Sequence, residues 1–226
     1  MSSDRLQVMR GRTAPAFTPA PNTRPPTPEE LGDQTAKADT RKYVGNVASG
    51  YNAKREQSEK WLHENAIIES MLSTLPRGTS ILDVPVGTGR FFDIYRKFGF
   101  VVEGLDVSTD MLKEAEKNIR DDDQIVLGEG SVLNLPCRDK SFDVAIMCRL
   151  SRWLQPVDCM VAFRELQRVS KGGVIWTARV RDHPHARPYT IWEEALHKGW
   201  RISGDIGLPG DPSYRIICAE PDDVVA

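Results

Sequence analysis

The sequence predicts an α/β fold: a doubly wound, seven-stranded, mostly parallel sheet with an antiparallel last strand and helices on both faces. Two observations predict this fold. Short apolar runs alternate with segments of helical spacing along most of the chain, and a turn too short for a crossover helix, residues 207–212, separates the last two runs. Strands separated by helices form covered parallel sheets, whereas strands joined by a short turn pair antiparallel.

Each predicted element has its own signal. The first helix, residues 58–75, has apolar side chains at helical spacing and stops before Pro76 and Gly78. Apolar runs predict strands at 80–84, 100–105, 124–127, 141–147, 173–178, 200–206 and 214–219. The intervening helices are predicted at 90–98, 108–119, 156–169 and 188–197. Ser108 is the expected N-cap of the helix that it begins.

The composition fits one domain preceded by an arm. The chain has 226 residues, of which 40% are apolar, and this is enough to build a core. Residues 1–40 contain six prolines and little aromatic or β-branched content, so we expect a disordered, Pro-rich arm. A nonfunctional tail and a partner-binding arm are the two interpretations of that segment. Residues 41–226 are expected to form the domain.

Charge, hydropathy and cysteine spacing argue against several classes of protein. No apolar run approaches the roughly 18–20 residues of a membrane span, and the N-terminus lacks the apolar stretch of a signal peptide. We therefore expect a soluble, cytoplasmic protein. A net charge of −2 disfavours broad binding to nucleic-acid backbones. The four cysteines lack the spacing of a zinc site or a disulfide framework.

A glycine loop follows the first predicted strand. Asp83 ends that strand, and Gly87-Thr88-Gly89 precedes the next helix. Such glycines let the backbone turn tightly and leave room for a ligand at the carboxyl ends of the strands. A dinucleotide-binding loop would have a third glycine where Phe92 stands. The carboxylate of Asp83 also suits a cationic, ammonium-bearing ligand better than a diphosphate.

A second carboxylate closes the next predicted strand. Asp106 lies 17 residues after Gly89, where an acid can accept hydrogen bonds from both ribose hydroxyls. The alternative role for Asp106 is to cap the following helix, although Ser108 is better placed for that. The two carboxylates together favour a nucleoside that carries a positively charged amino-acid group.

Residues from about 43 to 220 resemble the class I, Rossmann-like, S-adenosylmethionine-dependent methyltransferases. The segments that carry the resemblance are 83–90, 104–112, 128–136, 141–147 and 165–173. The resemblance implies an N-terminal helical lid at 41–78 and a Rossmann-like core at 79–226. It also implies S-adenosyl-L-methionine as the cofactor and methyl transfer as the reaction.

The resemblance assigns roles to residues by position. Asp83 and Gly87 would hold the methionine part of the cofactor, and Asp106 would hold the ribose. Met111 would pack on the adenine, and Ser131 and Val132 would flank its edge. The other cofactor contacts implied are Tyr51, Arg55 and Trp61 of the lid, and Pro85, Gly89, Arg90, Val107, Cys148 and Arg149 of the core. Plain packing on the sheet edge is an equal alternative for Trp61.

Two segments depart from the family's usual pattern. Pro85 and Val86 stand where members often have Gly-Cys or Gly-Ser, which stiffens the loop but keeps its essential glycines. Residues 148–153 replace the His-containing segment that commonly follows the fourth strand. The acceptor therefore cannot be carried over from close members of the family.

Candidate groups for the reaction follow the fourth and fifth strands. Methyl transfer needs alignment, and it needs a general base only when the acceptor must lose a proton. His183 and His185 are the candidate bases, with a solvated polar loop as the alternative. The candidate substrate-binding residues are Arg149, Arg152, Trp153, Arg179 and Arg181. Because guanidinium groups suit carboxylates and phosphates, we expect a small, anionic acceptor, unless these arginines pair with acids of the protein.

Two other functions stay open. RNA or a protein side chain is an alternative acceptor, although no Asn/Asp-Pro-Pro-Tyr segment follows the fourth strand. The second alternative is a regulatory protein that binds S-adenosylmethionine without catalysis and acts through its N-terminal arm. Metal-dependent methylation is not expected, because no acidic cluster follows the fourth strand.

Overall fold

A computed structural model describes residues 58–180, 192–193, 196 and 199–222. Within these residues, seven strands form one sheet in the order β3-β2-β1-β4-β5-β7-β6. The strands are β1 (Ser80–Asp83), β2 (Val101–Asp106), β3 (Ile125–Glu129), β4 (Phe142–Met147), β5 (Ser170–Arg179), β6 (Trp200–Leu208) and β7 (Asp211–Pro221). β7 is antiparallel to both β5 and β6, and the other pairings are parallel. The predicted fold class is confirmed.

Four helices of seven residues or more lie in the described part of the chain: α1 (Glu59–Leu72), α2 (Phe92–Phe98), α3 (Thr109–Glu116) and α4 (Pro156–Val169). Ser108 caps α3 as predicted, and its hydroxyl accepts a hydrogen bond from the Met111 N–H at 3.3 Å. In this part of the chain, no helix is long and apolar enough to cross a membrane. The predicted arm, residues 41–57 of the predicted lid and most of the predicted helix at 188–197 lie outside the described residues.

Several element boundaries differ from prediction by one to three residues, and two of these differences have a local reason. α1 ends at Leu72 rather than at residue 75, because the hydroxyls of Ser73 and Thr74 donate to carbonyls of the preceding turn. β5 begins at Ser170 rather than at residue 173. The register against β4 passes from Phe142↔Ser170 to Val144↔Gly173, so a bulge absorbs one extra residue of β5 and lets the strand start directly after the helix.

Both faces of the sheet are covered by apolar packing. Ile81 belongs to a core cluster with residues of α1 and α2, whereas its neighbour Leu82 belongs to a second cluster with residues of α4. This division follows from the alternation of side chains along a strand. In the second cluster, the rings of Phe163 and Trp176 meet edge to face with centroids 4.3 Å apart. The packing fixes the strands whose carboxyl ends form the site.

α1 lies against β6 and β7, at the edge of the sheet opposite β3. Its buried stripe consists of Trp61, Glu64, Ile68 and Leu72. Ile68 and Leu72 pack in the first core cluster, while Glu64 and Trp61 lie nearer the carboxyl ends of the strands. α1 therefore brings a charged and an aromatic side chain to the place where a ligand would bind.

Candidate cofactor-binding site

A cleft lies at the carboxyl ends of β1, β2 and β4. Ligands of open α/β sheets bind at this edge. The residues that line the cleft are Trp61, Asp83, Pro85, Val86, Gly87, Thr88, Arg90, Phe91, Asp106, Val107, Ser108, Met111, Cys148, Arg149, Leu150 and Trp153.

The two glycines of the loop have different surroundings. Both lie in the left-handed region, Gly87 at φ 59° and Gly89 at φ 80°. Gly87 lines the cleft, and a Cβ placed on it would lie 3.7 Å from the Met111 Cε atom. A Cβ on Gly89 would clash with the ring of Phe92. The ring of Phe92 therefore occupies the space beside Gly89. Gly89 allows this close packing and does not line the cleft.

Asp106 fixes the glycine loop against the end of β2. Its side chain is 5% exposed, and its two oxygens accept hydrogen bonds from the N–H groups of Gly87 and Ser108, both at 2.9 Å. Burial raises the pKa of Asp106, and these backbone N–H groups partly oppose the rise. Each carboxylate oxygen has a second lone pair, so Asp106 can still accept hydroxyl donors from a ligand.

Asp83 lies at the end of β1 and is 1% exposed. The Tyr95 hydroxyl donates a hydrogen bond to its Oδ2 atom at 2.9 Å. Burial raises the pKa of Asp83 to about 7, the hydrogen bond from Tyr95 opposes the rise, and the charge of Asp106 adds to it. A cation placed beside Asp83 would favour its ionised form. The carboxylate is thus poised for a positively charged ligand.

Glu64 of α1 lies behind the cleft and is fully buried. Its Oε2 atom accepts hydrogen bonds from Arg90 at 2.9 Å and from the Nε of Arg149 at 2.8 Å. Its Oε1 atom accepts the hydroxyl of Tyr214 at 2.9 Å. Although burial opposes ionisation, the two guanidinium groups lower the pKa of Glu64 below its ordinary value. One carboxylate thus joins α1 to the loops that follow β1 and β4 and to β7.

Arg149 has an unusual backbone conformation directly after β4. Its φ is 61°, in the region that side-chain-bearing residues seldom adopt, and its N–H donates to the Thr177 Oγ1 atom at 2.7 Å. Such conformations cluster at functional sites, where the surroundings hold them in place. Burial raises the pKa of the neighbouring Cys148 thiol well above its ordinary value, so this thiol is protonated at neutral pH.

Most of the predicted cofactor contacts lie in the cleft. Those that line it are Trp61, Asp83, Pro85, Gly87, Arg90, Asp106, Val107, Met111, Cys148 and Arg149. Of the described residues predicted to bind the cofactor, Gly89, Ser131 and Val132 do not line it. The Ser131 hydroxyl accepts the Leu133 N–H at 3.2 Å, and Val132 packs in the second core cluster. Tyr51 and Arg55 lie outside the described residues.

Of the predicted substrate-binding arginines that the structure describes, Arg149 and Arg179 pair with acids of the protein. Trp153 and Arg149 line the cleft, and Arg152 stacks on the Trp153 ring at 4.3 Å. Arg149 is paired with Glu64, and the Nη2 atom of Arg179 lies 2.9 Å from the Asp211 Oδ2 atom. Pairing with acids was the alternative role for these arginines. Arg181 and the candidate bases His183 and His185 lie outside the described residues.

Several residues of the site were not predicted. Phe91 and Leu150 line the cleft, Glu64 holds two of its arginines, and Tyr95 holds Asp83. The sequence does contain a signal for Glu64. It stands three residues after Trp61 and four before Ile68, so it occupies the apolar stripe of a helix. A charged residue in such a stripe indicates a buried partner.

Part of the chain is similar to known methyltransferases. Residues 82–177, from β1 to β5, match the family described as a methyltransferase domain. A demethylmenaquinone methyltransferase of Renibacterium salmoninarum is 32% identical over 142 residues, which cover 62% of this chain and 56% of that protein. A 2-methyl-6-phytyl-1,4-hydroquinone methyltransferase of Synechocystis is 33% identical over 55% of this chain and 40% of its own length. The matches thus span about half the length of these relatives.

Solved structures share the fold. Magnesium protoporphyrin IX methyltransferase of Synechocystis, solved with S-adenosylmethionine, aligns with a TM-score of 0.68 at 13% identity, covering 83% of this chain and 97% of that one. An S-adenosylmethionine-dependent methyltransferase of Aquifex aeolicus aligns with a TM-score of 0.59 at 18% identity, covering 77% and 98%. Residues 82–177 thus match a methyltransferase domain, and the fold of the chain is similar to that of solved S-adenosylmethionine-dependent methyltransferases.

Proposed function

We propose that this protein transfers a methyl group from S-adenosylmethionine to a small-molecule acceptor. The observation that carries the proposal is the pair of buried carboxylates, Asp83 and Asp106, on either side of Gly87 in one cleft. These two carboxylates match the polar groups of the cofactor. Asp106 keeps lone pairs for the ribose hydroxyls, and Asp83 is a buried carboxylate that a cationic amino-acid group would favour in its ionised form.

The other walls of the cleft also fit the cofactor. Met111 lies beside Gly87 and offers an apolar surface for the adenine. When bound, S-adenosylmethionine supplies a methyl group on a positively charged sulfur. Trp61, Phe91, Leu150 and Trp153 line the cleft with apolar and aromatic surface, which would exclude water and orient the acceptor.

A small-molecule acceptor is supported by the names of the matched relatives. Among them are methyltransferases of demethylmenaquinone, of 2-methyl-6-phytyl-1,4-hydroquinone and of malonyl-[acyl-carrier protein]. An anionic group on the acceptor is a finer hypothesis. Since Arg149 and Arg179 are paired with acids, that group would be bound by Arg181 and by Arg152, which stacks on the cleft residue Trp153. His183 or His185 would serve as general base where the acceptor must lose a proton.

Transfer of a labelled methyl group tests the proposal. The protein is incubated with methyl-labelled S-adenosylmethionine and fractionated cell metabolites, and we expect a labelled small molecule. Asp106→Asn should reduce labelling at least about ten-fold, because it removes the charge that holds the loop. Asp110→Asn is the matched control, since Asp110 pairs with Lys113 on α3 and does not line the cleft.

The outcomes separate the alternatives. Labelled RNA or labelled protein in place of a labelled metabolite would overturn the small-molecule acceptor. Binding of S-adenosylmethionine without any labelled product would favour the regulatory protein that was the alternative to an enzyme. If Arg152→Glu leaves the KM of an anionic acceptor unchanged, Arg152 does not bind its charge.

A further inference from the structure

The charged side chains that line the cleft have equal numbers of positive and negative charges when Glu64 is left out. Of the described residues that line the cleft, two are carboxylates, Asp83 and Asp106, and two are arginines, Arg90 and Arg149. Both arginines lie at the wall formed by α1: the Arg90 guanidinium lies 3.7 Å from the Trp61 ring centroid, and that of Arg149 lies 5.1 Å from it. The lining alone therefore has no net charge when all four groups are ionised.

Glu64 is the carboxylate that both arginines share. Arg90 donates to Glu64 at 2.9 Å, to the Asn65 Oδ1 atom at 2.8 Å and to the Trp61 carbonyl at 3.1 Å, so it is tied wholly to α1. Arg149 reaches the same Oε2 atom through its Nε at 2.8 Å. Because Glu64 is fully buried, water does not screen its charge from the cleft. The cleft and Glu64 together have one net negative charge.

The charge on sulfur differs between the cofactor and its demethylated product. S-adenosylmethionine has a positive sulfur, and the demethylated product, S-adenosylhomocysteine, has a neutral one. We propose that Glu64 is a positioning residue that neutralises Arg90 and Arg149 and thereby makes the cleft favour the charged cofactor over the neutral product. The inference rests on the proposed function, since it needs both nucleosides to bind in this cleft.

A purely structural role for Glu64 makes a different prediction. If Glu64 only clamps α1 to the loops, its loss weakens the binding of both nucleosides by the same factor. If Glu64 acts through its charge, the loss falls on S-adenosylmethionine. The ratio of the two dissociation constants, measured by calorimetry on the full chain at one fixed pH of 8, therefore separates the two roles.

Three variants and one control make up the test. Glu64→Gln should lower the preference for S-adenosylmethionine over S-adenosylhomocysteine about ten-fold, since one unit charge is lost from a water-poor site. Arg149→Gln should raise that preference, because it removes a positive charge from the wall. The double variant restores the net charge and should return to within about two-fold of the wild type. The control is Glu69→Gln, which removes a carboxylate of α1 that pairs with Lys97 of α2 and should leave the ratio unchanged.

The opposite signs keep the inference testable if Glu64→Gln does not fold. Arg149→Gln keeps the pair between Glu64 and Arg90. Whether this variant raises or lowers the preference for S-adenosylmethionine is therefore a sufficient test without Glu64→Gln. Equal weakening of both nucleosides by Glu64→Gln, or a lower preference in Arg149→Gln, would overturn the inference while leaving the proposed function intact. A wild-type chain that binds neither nucleoside would overturn both.

Discussion

The pKa of Asp83 predicts how cofactor binding depends on pH. Burial raises this pKa to about 7, so about nine-tenths of the chains have an ionised Asp83 at pH 8 and about one-tenth at pH 6. On the proposed function, a cationic group of the cofactor binds beside the ionised form. We therefore expect the contribution of Asp83 to the affinity for S-adenosylmethionine to fall about nine-fold from pH 8 to pH 6, or roughly 1.3 kcal/mol.

The assay is calorimetric titration at pH 6, 7 and 8 with the wild type and Asp83→Asn. The measured quantity is the ratio of their affinities at each pH, because the ratio cancels the titration of the amino group on the ligand. Asn keeps an acceptor for the Tyr95 hydroxyl, so the change is confined to charge. A ratio that stays constant from pH 6 to pH 8 would refute the argument that Asp83 binds the cofactor through its ionised form.

Three further predictions concern the residues around the loop. Tyr95→Phe removes the hydrogen bond that favours ionised Asp83, so the midpoint of the same pH titration should move to higher pH. Because the pKa of Asp83 rises from 3.8 to about 7 on folding, wild-type stability should fall relative to Asp83→Asn from pH 4 to pH 7 and then level off. Thermal unfolding measures this, and wild-type stability that rises relative to Asp83→Asn over that range would contradict it. Gly89→Ala should lower the free energy of unfolding in urea by about 2–3 kcal/mol, since it adds a clash with Phe92 to the cost of the left-handed conformation. Gly210→Ala is its control, with φ 75° and open space around it, and should lose only about 1 kcal/mol; equal losses would remove the role of the clash.

The parts of the fold that depend on local pattern were predictable. Alternating apolar runs and helical segments predicted the succession of strands and helices along the chain, and the short turn at 207–212 predicted the antiparallel pairing of the last two strands. Asp83 and Asp106 were expected at one edge because both close parallel strands, and the register of β1 with β2 places them there.

The parts that depend on distant pairing were not predictable from one sequence. Glu64 lies 85 residues from Arg149 and 150 residues from Tyr214, and no local periodicity relates them. Their meeting depends on how α1 packs against β6 and β7. For the same reason, Arg149 and Arg179 looked available to an anionic acceptor until the structure placed an acid beside each.

The measurement that tests the central claim most directly is a calorimetric titration of the wild-type chain at pH 8 with three ligands: S-adenosylmethionine, S-adenosylhomocysteine and a nicotinamide dinucleotide. Phe92 beside the glycine loop and the carboxylates Asp83 and Asp106 predict saturable binding of the first two, and binding of the dinucleotide weaker by at least about a hundred-fold. Preferential binding of the dinucleotide, or the same affinity for S-adenosylmethionine in Asp106→Ala as in the wild type, would contradict the account.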